Sequence, residues 1–366
     1  AYPRIAEIVA DAAAGELSSR IHGDPGTRFD PAWWDATIAA GPRLRFGRAP
    51  WAYVKIAEGC NRGCTFCSIP LMRGRLKSRP PEVIEAEARN LVAQGVSELS
   101  LVSQDSVMWG RDSGEGDLLE LLGRLETIEG LRRLRLMYLH PQGVTDGLID
   151  RIASSEVIAS YFDLSLQHVA PEVLRSMGRW GSSKRFTRMI ERIRAQDPLA
   201  GVRSTFILGF PGETEAQAGQ VEAFVADTDL DWVGAFTYSP EEGTKSVSMP
   251  DRVAEAAARA RTESVASAAE VTMERRARSL VGHRLEVLAE SFDRAQGMWL
   301  GRSHREAPEI DGEVRFSGAT GVSVGDLVEV RITGNLGADL EGIWTGMTSE
   351  ARPEDGRVFS TTSTPG

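Results

Sequence analysis

The sequence predicts an α/β protein in two parts, a partial and open barrel of six strand–helix units followed by a small all-β barrel of five strands. From Ala52 onward, short apolar runs alternate with amphipathic segments, a pattern typical of a parallel sheet covered by helices. After one long helical segment the hydrophobic period changes to two, which indicates antiparallel strands. With 366 residues, of which 42% are hydrophobic, the chain can form more than one core.

Residues 1–46 are predicted to be a linker, the remnant of an upstream domain. They contain one amphipathic helical segment, Ile5–Ala14, and then a polar stretch with Trp33 and Trp34. No alternating strand–helix unit is present there. Because the chain also begins at Ala1 rather than at a methionine, we expect it to be a fragment of a longer protein.

Residues 47–281 are predicted to form the six units. The strands are short and rich in β-branched residues: Ala52–Ile56, Leu99–Val102, Leu131–Leu139, Tyr161–Leu166, Val202–Leu208 and Trp232–Phe236. The helices between them are Pro81–Gln94, Leu118–Leu125, Val144–Ala153, Lys184–Ala195 and Glu215–Ala226. Six units are too few for the usual closed barrel of eight strands, so an open barrel is expected, with ligands at the carboxyl ends of its strands.

Residues 282–347 are predicted to form the small barrel, which resembles the oligonucleotide-binding type. Its five strands are separated by turns of Gly, Asp and Asn: Arg284–Ala289, Trp299–Ser303, Gly312–Phe316, Leu327–Ile332 and Leu340–Thr345. A long helix rich in Ala, Glu and Arg, Val253–Leu280, precedes it. Residues 348–366, rich in Ser, Thr and Pro, are predicted to be a disordered tail.

Charge and hydropathy exclude several classes of function. The formal net charge of -10 argues against strong nucleic-acid binding. Between Gly282 and Met347, eleven Asp and Glu oppose six Arg and no Lys. A barrel that held RNA by its phosphates should be basic, so we expect a basic protein as partner. No run of about 18 apolar residues and no signal sequence is found, which predicts a cytoplasmic protein without a membrane segment.

The strongest motif is the loop Cys60-Asn61-Arg62-Gly63-Cys64-Thr65-Phe66-Cys67, which holds all three cysteines of the chain. Three thiolates leave one iron of a four-iron cluster open for a substrate group. An open iron can chelate the amino and carboxylate groups of S-adenosylmethionine, and an electron passed through the cluster can break the carbon–sulfur bond of that cofactor. The alternatives are a zinc knuckle, which usually takes four Cys or His ligands, a four-cysteine ferredoxin, and three unrelated buried thiols.

With Phe66 before its third cysteine and six strand–helix units around it, this loop resembles the radical S-adenosylmethionine superfamily. Further segments resemble the methylthiotransferase family within it: Ser68-Ile69-Pro70, Arg73-Gly74, Ser78-Arg79-Pro80 and Gly209-Phe210-Pro211-Gly212-Glu213-Thr214. The resemblance covers roughly residues 50–346. It implies that the small barrel is of the TRAM type.

Two subfamilies compete, one that modifies an adenosine of tRNA and one that modifies a ribosomal protein. The segments Phe162–His168, Tyr238–Thr244 and Ala307–Gly312 resemble the second, and the tRNA enzymes tend to carry a basic residue where Glu241 or Glu242 stands. The resemblance implies an enzyme that adds a methylthio group to the β-carbon of an aspartate on the twelfth protein of the small ribosomal subunit. The alternatives are the tRNA adenosine methylthiotransferase and a non-enzymatic RNA-binding module with a structural iron-sulfur cluster.

The resemblance also implies a second cluster. Complete members of the family have an N-terminal domain with three further cysteines, and this chain has none left to supply them. We therefore expect one 4Fe-4S cluster and S-adenosylmethionine in this chain, a second cluster in the absent domain, and an external electron donor. Alone, the chain is expected to cleave the cofactor without inserting sulfur.

Polar residues at two strand ends are candidate cofactor contacts. Gln104 and Asp105 follow the second predicted strand, while Gln167 and His168 end the fourth. The resemblance implies that Gln104 touches cofactor or substrate, and that Gln167 and His168 lie near the methionine part of the cofactor. The alternatives are a helix-capping cluster for the first pair and an ordinary half-buried histidine for His168.

Three arginines are candidate anion binders. Arg203 stands among apolar residues, where a charge is expensive to bury unless it meets an anion. The cofactor carboxylate is one candidate, and a structural Asp or Glu is the alternative. Arg73 and Arg79 are candidates for binding an anionic substrate, with a solvated basic loop as the alternative.

Phe66, Gly209 and Tyr238 complete the predicted cofactor site. The glycine turn that begins at Gly209 would let the backbone approach a ligand closely. Phe66 and Tyr238 are candidates to bracket the adenine, and core packing is the alternative for both.

Overall fold

The protein is described here as a computed structural model covering residues 5–16, 45, 47–114 and 116–347. Most of the predicted linker, with its two tryptophans, and the predicted tail lie outside these described residues. The first part contains eight strands: β1 Trp51–Lys55, β2 Ala57–Glu58, β3 Lys77–Ser78, β4 Glu98–Val102, β5 Arg133–Leu136, β6 Tyr161–Gln167, β7 Gly201–Leu208 and β8 Trp232–Thr237. The α-helices are α1 Ile5–Ala14, α2 Ile69–Arg73, α3 Pro81–Ala93, α4 Leu118–Glu126, α5 Asp146–Ser154, α6 Pro171–Ser176, α7 Ser183–Gln196, α8 Glu215–Asp227 and α9 Glu255–Ser279.

Six of these strands form the predicted partial barrel. β1, β4 and β5 make one parallel sheet, and β6, β7 and β8 make another. Isolated parallel bridges, Leu134 with Ile158 and Leu139 with Leu164, join the two sheets between β5 and β6. The six strands therefore follow one another in chain order, with β1 and β8 as the outer strands, and the predicted open α/β barrel is confirmed.

Side chains alternate between the two faces of these strands. On β7, Val202, Phe206 and Leu208 are buried in the hydrophobic core, whereas Arg203 and Thr205 are only partly buried on the opposite face. This alternation follows from the pleat, which turns successive side chains to opposite sides. The apolar face packs under the helices, and the face with Arg203 lines the interior of the partial barrel.

The structure departs from the predicted elements where backbone geometry intervenes. The predicted strand Leu131–Leu139 pairs only over β5, and Tyr138 beyond it has a φ of 59°, which takes the chain out of extended conformation. Two short helices, α2 and α6, were not predicted. Each has a proline in its first turn, which suits a helix start but resembles a loop signal in the sequence.

The predicted small barrel of five strands is confirmed. Its strands are β9 Arg284–Asp293, β10 Met298–Arg302, β11 Val314–Ser317, β12 Leu327–Leu336 and β13 Asp339–Met347. They close in the order β10, β11, β13, β12, β9, and all pairs are antiparallel except β11 with β13. Val287, Phe316 and Val330 are fully buried in its core.

The loop between β10 and β11 fastens the small barrel to the amino ends of the larger barrel's strands. Tyr161, the first residue of β6, donates its hydroxyl to Asp311 Oδ2 at 2.6 Å. Trp232, the first residue of β8, donates its indole N–H to the Arg305 carbonyl at 2.8 Å. Arg135 of β5 donates to the His304 carbonyl at 2.7 Å. This loop therefore covers the end of the partial barrel opposite to the carboxyl ends of its strands.

Buried ion pairs reinforce this contact. Glu98 at the start of β4 is fully buried, and its Oε1 lies 3.0 Å from both Arg135 Nε and Arg302 Nη1, with Arg133 at 3.4 Å from Oε2. Burial alone would raise the pKa of Glu98, but the charges of the three arginines hold it well below its ordinary value. Because Arg302 belongs to β10, this carboxylate joins the two barrels. Among the described residues, no helix is long and apolar enough to cross a bilayer.

Candidate metal centre

The cysteine loop lies where the sequence places it, just after β1 and the short strand β2. Gly59 opens it with a φ of 75°, and a side chain there would overlap the Arg75 carbonyl oxygen. The Cys60 N–H donates to the Gly74 carbonyl at 3.2 Å, which ties the start of the loop to the chain behind it. All three cysteines are free and partly exposed. The loop therefore presents three thiols at the carboxyl end of the partial barrel.

Each thiol sulfur is close to an N–H donor. The Arg62 backbone N–H lies 3.4 Å from Cys60 Sγ, and Arg179 Nη1 lies 3.5 Å from Cys64 Sγ. The Ile69 N–H contacts Cys67. Burial raises the pKa of the Cys60 and Cys67 thiols, and binding of a metal by their thiolates must release protons.

The three thiols are compatible with an iron-sulfur cluster. Among the described residues, no three Cys, His, Asp or Glu side chains converge on one metal ion. An iron-sulfur cluster needs only one thiolate at each of three separate irons. Partly exposed thiols on one loop, with N–H donors near their sulfurs, fit such a cluster, and the donors would stabilise its negative charge.

The outer side of the loop is held by the segment Ser176–Arg179, which follows α6. The Thr65 N–H donates to the Met177 carbonyl at 3.0 Å, and the Thr65 hydroxyl donates to the Ser176 carbonyl at 2.8 Å. Gly178 lies so close to Gly63 that an added Cβ would be 2.5 Å from the Gly63 carbonyl oxygen. We call Ser176–Arg179 the clamp segment.

Gln104 and Asp105 lie beside the loop, as predicted from their place after β4. Gln104 donates to Glu58 Oε1 at 3.2 Å, and Arg62 Nε donates to Asp105 Oδ2 at 2.6 Å. The other side-chain oxygens, Gln104 Oε1 and Asp105 Oδ1, are buried without a protein hydrogen-bond partner. Burial raises the pKa of Asp105 despite its pairing with Arg62. Buried acceptors of this kind normally have a partner, so these two mark a place for a ligand or water.

Gln167 and His168 differ in their surroundings. Gln167 is partly buried and has a φ of 70°, a strained conformation for a residue other than glycine. His168 is fully buried, and its Nδ1 accepts a hydrogen bond from the Ala170 N–H at 3.0 Å. The proton is then assigned to Nε2, which lies 3.5 Å from Glu213 Oε2. Nε2 is buried without a hydrogen-bond partner in the described part of the protein, so this atom of His168 also marks a place for a ligand or water.

Glu213 organises the glycine turn after β7. Its two carboxylate oxygens each accept from the Gly209 N–H at 3.0 Å, and Arg261 Nη1 of α9 lies 2.8 Å from Oε1. Gly209 has a φ of 78°, and a side chain there would overlap Ala258 on α9. The close approach that requires this glycine is therefore to α9. Glu213 and Arg261 were not predicted, although Glu213 stands inside the quoted motif.

Phe66 and Tyr238 lie in one small apolar cluster beside the cysteine loop, where both are partly buried around the buried Phe210. The rings of Phe210 and Tyr238 meet edge to face with centroids 5.3 Å apart. The Tyr238 hydroxyl donates to Ser246 Oγ at 2.8 Å, and the Ser246 N–H donates to the Thr65 carbonyl at 2.9 Å. Packing accounts for part of each ring and leaves the rest accessible.

Arg203 lies in the amino-terminal half of β7, and the structure gives it carboxylate partners within the protein. Its Nη1 lies 3.1 Å from Asp163 Oδ1, and its Nε lies 3.3 Å from Asp311 Oδ1. The predicted contact of Arg203 with a cofactor carboxylate stays a prediction. The charge of Arg203 is balanced by two protein acids, as the structural alternative predicted.

The other two arginines have different surroundings. Arg79 is almost fully buried and pairs with Glu87 at 2.8 Å, so the solvated loop is absent at this position. Its contact with an anionic substrate stays a prediction. Arg73 is more exposed, and it lines a cavity of about 380 Å³ together with Arg75, Lys77 and Asp112. Of the two, only Arg73 is placed to meet a molecule from outside.

Sequence reasoning also missed Arg62 and Arg179. Arg62 stands within the motif, so its pairing with Asp105 could have been suspected from the position of both residues at strand ends. Arg179 reaches Cys64 from 115 positions along the chain. No local sequence pattern predicts such a contact.

An open barrel of six parallel strands, with a three-cysteine loop after its first strand, defines the class of radical S-adenosylmethionine proteins. A family model described as "Radical SAM superfamily" matches residues 54–225, and one described as "TRAM domain" matches residues 281–344. Among solved structures, the radical SAM enzyme coproporphyrinogen III oxidase (HemN) from Escherichia coli aligns with a TM-score of 0.45 and 14% identity, over 69% of this chain and 58% of that chain.

Curated relatives narrow the class to one family. The ribosomal protein uS12 methylthiotransferase RimO of Streptomyces avermitilis is 44% identical over 90% of this chain and 67% of its own length. The protein of the same name from Geobacter sulfurreducens is 39% identical, over 93% of this chain and 75% of its own length. The chain therefore belongs to the radical S-adenosylmethionine family of uS12 methylthiotransferases, as its motifs predicted. It spans only 63% of the relative from Streptomyces coelicolor.

Proposed function

We propose that the intact protein adds a methylthio group to the β-carbon of an aspartate on ribosomal protein uS12, and that this chain supplies the radical-generating step. The single observation that carries the proposal is the free three-cysteine loop at the carboxyl end of the partial barrel, in a chain that belongs to this family. The remaining assignments follow from the surroundings of that loop.

Cys60, Cys64 and Cys67 are proposed to hold the 4Fe-4S cluster. When bound, the cluster supplies an open iron for S-adenosylmethionine and the electron that cleaves its carbon–sulfur bond. The role of the chain is to present the thiols, to support their sulfurs with N–H donors, and to keep water from the reacting bond. The electron itself must come from an external donor.

The cofactor is proposed to bind over the ends of β4 and β6. Gln104 Oε1 and Asp105 Oδ1 are buried acceptors without protein partners, and ammonium or hydroxyl groups of the cofactor would satisfy them. The strained Gln167 stands at the end of β6. Phe66 and Tyr238 offer partly accessible ring faces for the adenine. Gly209 acts indirectly, since its N–H donates to Glu213. The buried, unpartnered Nε2 of His168 is a further candidate contact for the cofactor.

We propose that the two barrels have separate roles. Residues 47–281 bind the cofactor, and residues 282–347 contact the substrate. The excess of Asp and Glu in the small barrel suits a basic ribosomal protein and disfavours strong binding of nucleic acid. Near the cysteine loop, Arg73 and its cavity form a second candidate contact with the substrate. We place the protein in the cytoplasm with its ribosomal substrate.

Sulfur insertion is proposed to need another part of the intact protein. The three cysteines of this chain all belong to one loop, so a second cluster has no cysteine ligand here. Reduced with dithionite, the reconstituted chain should release 5'-deoxyadenosine from S-adenosylmethionine without forming a methylthio product. A methylthiolated product from this chain alone would show that the other part is dispensable.

The deciding experiment uses the full-length protein after anaerobic reconstitution. It is incubated with S-adenosylmethionine and either uS12 or tRNA, and mass spectrometry follows the gain of one methylthio group. We expect the gain on uS12, at one aspartate. A gain on tRNA alone would overturn the choice of substrate and leave the cluster assignment intact.

A further inference from the structure

The donors on the three thiol sulfurs are not equivalent. Cys60 and Cys67 are approached by backbone N–H groups, whereas Cys64 is approached by the guanidinium of Arg179, with Nη1 at 3.5 Å from Sγ. Of the three N–H donors found near the cysteine sulfurs in the described residues, Arg179 is thus the charged one. A hydrogen bond from a charged group is stronger than one from a neutral amide.

The clamp segment fixes this contact. Thr65 makes two hydrogen bonds to the Ser176 and Met177 carbonyls, and Gly178 fits against Gly63 with no room for a side chain. Directly after Gly178, Arg179 also donates Nη2 to the Ser165 carbonyl on β6. The guanidinium therefore bridges the barrel wall and the cysteine loop, and its place does not depend on a flexible surface side chain.

The positive charge of Arg179 has no carboxylate of its own. Among the described residues it forms no ion pair, and its Nε is buried without a hydrogen-bond partner. The charge of Arg179 acts to lower the pKa of Asp105, but Asp105 is already paired with Arg62 at 2.6 Å. The charge of Arg62 is thus balanced by Asp105, whereas Arg179 has no carboxylate partner in the part of the chain that the structure describes and contacts the sulfur of Cys64.

We propose that Arg179 is a positioning residue of the cluster site, which supports Cys64 and makes the bound cluster easier to reduce. The inference rests on the cluster assignment proposed above. Reduction adds one electron from the external donor and no proton, so it makes the site more negative by one charge. A fixed cation within a few ångströms, screened by little water, stabilises that added charge. Second-sphere hydrogen bonds and charge are among the features that set cluster potentials.

The test is a redox titration of the full-length reconstituted protein, followed by electron paramagnetic resonance of the reduced cluster. Arg179→Gln should lower the equilibrium constant for one-electron reduction about tenfold, a shift of ~59 mV toward more negative potential. Arg179→Lys, which keeps the charge, should retain most of the native potential. Arg185→Gln is the matched control, because Arg185 lies over the Trp180 ring in the same region and does not contact a thiol.

The outcomes separate charge from structure. A native potential in Arg179→Gln with full iron content would overturn the inference. The inference would also be overturned if the potential of the Lys variant fell as far as that of the Gln variant. In that case the lost contact with Ser165, rather than the lost charge, would be the cause. If Arg179→Gln does not retain iron, the Lys variant alone tests the inference. Its equilibrium constant for one-electron reduction must then stay within about threefold of the native value. Failure of the native protein to bind a cluster would refute the proposed function instead.

Discussion

Replacing Glu98 by glutamine should destabilise the protein strongly, because it removes the fully buried carboxylate that three arginines share. The more exposed Glu290 and Glu286 contact only Arg302 and Arg133, respectively. Glu98 and Arg135 are fully buried, and Arg133 and Arg302 are 4% exposed. Removing one partner of a buried pair leaves uncompensated charge and costs about 3 to 5 kcal/mol. Glutamine keeps the shape and one acceptor, so we expect a loss of about 3 kcal/mol in the free energy of unfolding.

Urea unfolding, followed by circular dichroism, measures this loss. The midpoint should fall while the slope with urea stays constant, since the surface exposed on unfolding is unchanged. Glu255→Gln is the control, because its i,i+4 pair with Arg259 on α9 is exposed. No measurable change is expected there. The double variant Glu98→Gln with Arg302→Met should lose less than the two single variants together, because the residues interact directly.

The pH dependence provides a second measurement of the same interaction. The pKa of Glu98 is lowered in the folded protein, so its contribution is present above the unfolded pKa and is lost as pH falls through the lower folded pKa. The difference between the native protein and Glu98→Gln should therefore persist through mildly acidic pH and shrink only at lower pH. A difference below about 1 kcal/mol at neutral pH would refute the reasoning, because the arginines would then be compensated by other groups.

Four further outcomes are expected. Changing any one of the three loop cysteines to Ala should prevent reconstitution of about four irons per chain, and iron and sulfide analysis would contradict this if the full content were retained. Gly178→Ala should weaken iron retention, since its Cβ would lie 2.5 Å from the Gly63 carbonyl at a φ of +68°, while Gly219→Ala on the exposed face of α8 should not. Burial raises the pKa of Asp311 to about 6, so its contribution to stability is complete below the unfolded pKa and is lost as pH rises through about 6. Asp311→Asn should remove this dependence from the unfolding profile, and an unchanged profile would exclude it. Reversing exposed acids of residues 282–347 to Lys should slow association with uS12 while cofactor cleavage is unchanged, and raising salt until the Debye length falls from about 10 to 3 Å should also slow it. Association that is indifferent to salt would move recognition to the cavity at Arg73.

The sequence was sufficient for the order of the elements and for the cysteine site. Strands and helices alternate with clear periods, and parallel strands bring their carboxyl ends to one edge. The positions of Gln104 and Asp105 beside the cysteine loop follow from that rule alone. Their buried, unpartnered oxygens do not, because burial depends on the whole surrounding structure.

The sequence was insufficient where residues far apart in the chain share one charge or one contact. The sequence predicts that Arg203 is a buried cation with an anionic partner. Only the fold shows that Asp163 and Asp311 are partners of this kind. The sequence places Arg79 in a basic stretch, for which a solvated loop was one interpretation. In the fold, Arg79 is paired with Glu87 on α3. In each case the pattern located the charge correctly, and the partner depended on tertiary packing.

The position of the small barrel limits how a substrate can reach the cysteine loop. The β10–β11 loop covers the amino ends of the strands through Tyr161, Trp232 and Arg135, at the opposite end from the cysteines. The carboxyl ends of the strands are left uncovered by that loop, which also contacts Tyr53 of β1 through Pro308 and Glu309. Radical abstraction at one carbon requires the substrate to be held within a fraction of an ångström. If the small barrel also binds the substrate, the buried pairing of Glu98 with Arg302 fixes the distance between the binding surface and the reacting site, and it thereby contributes to positioning as well as to stability.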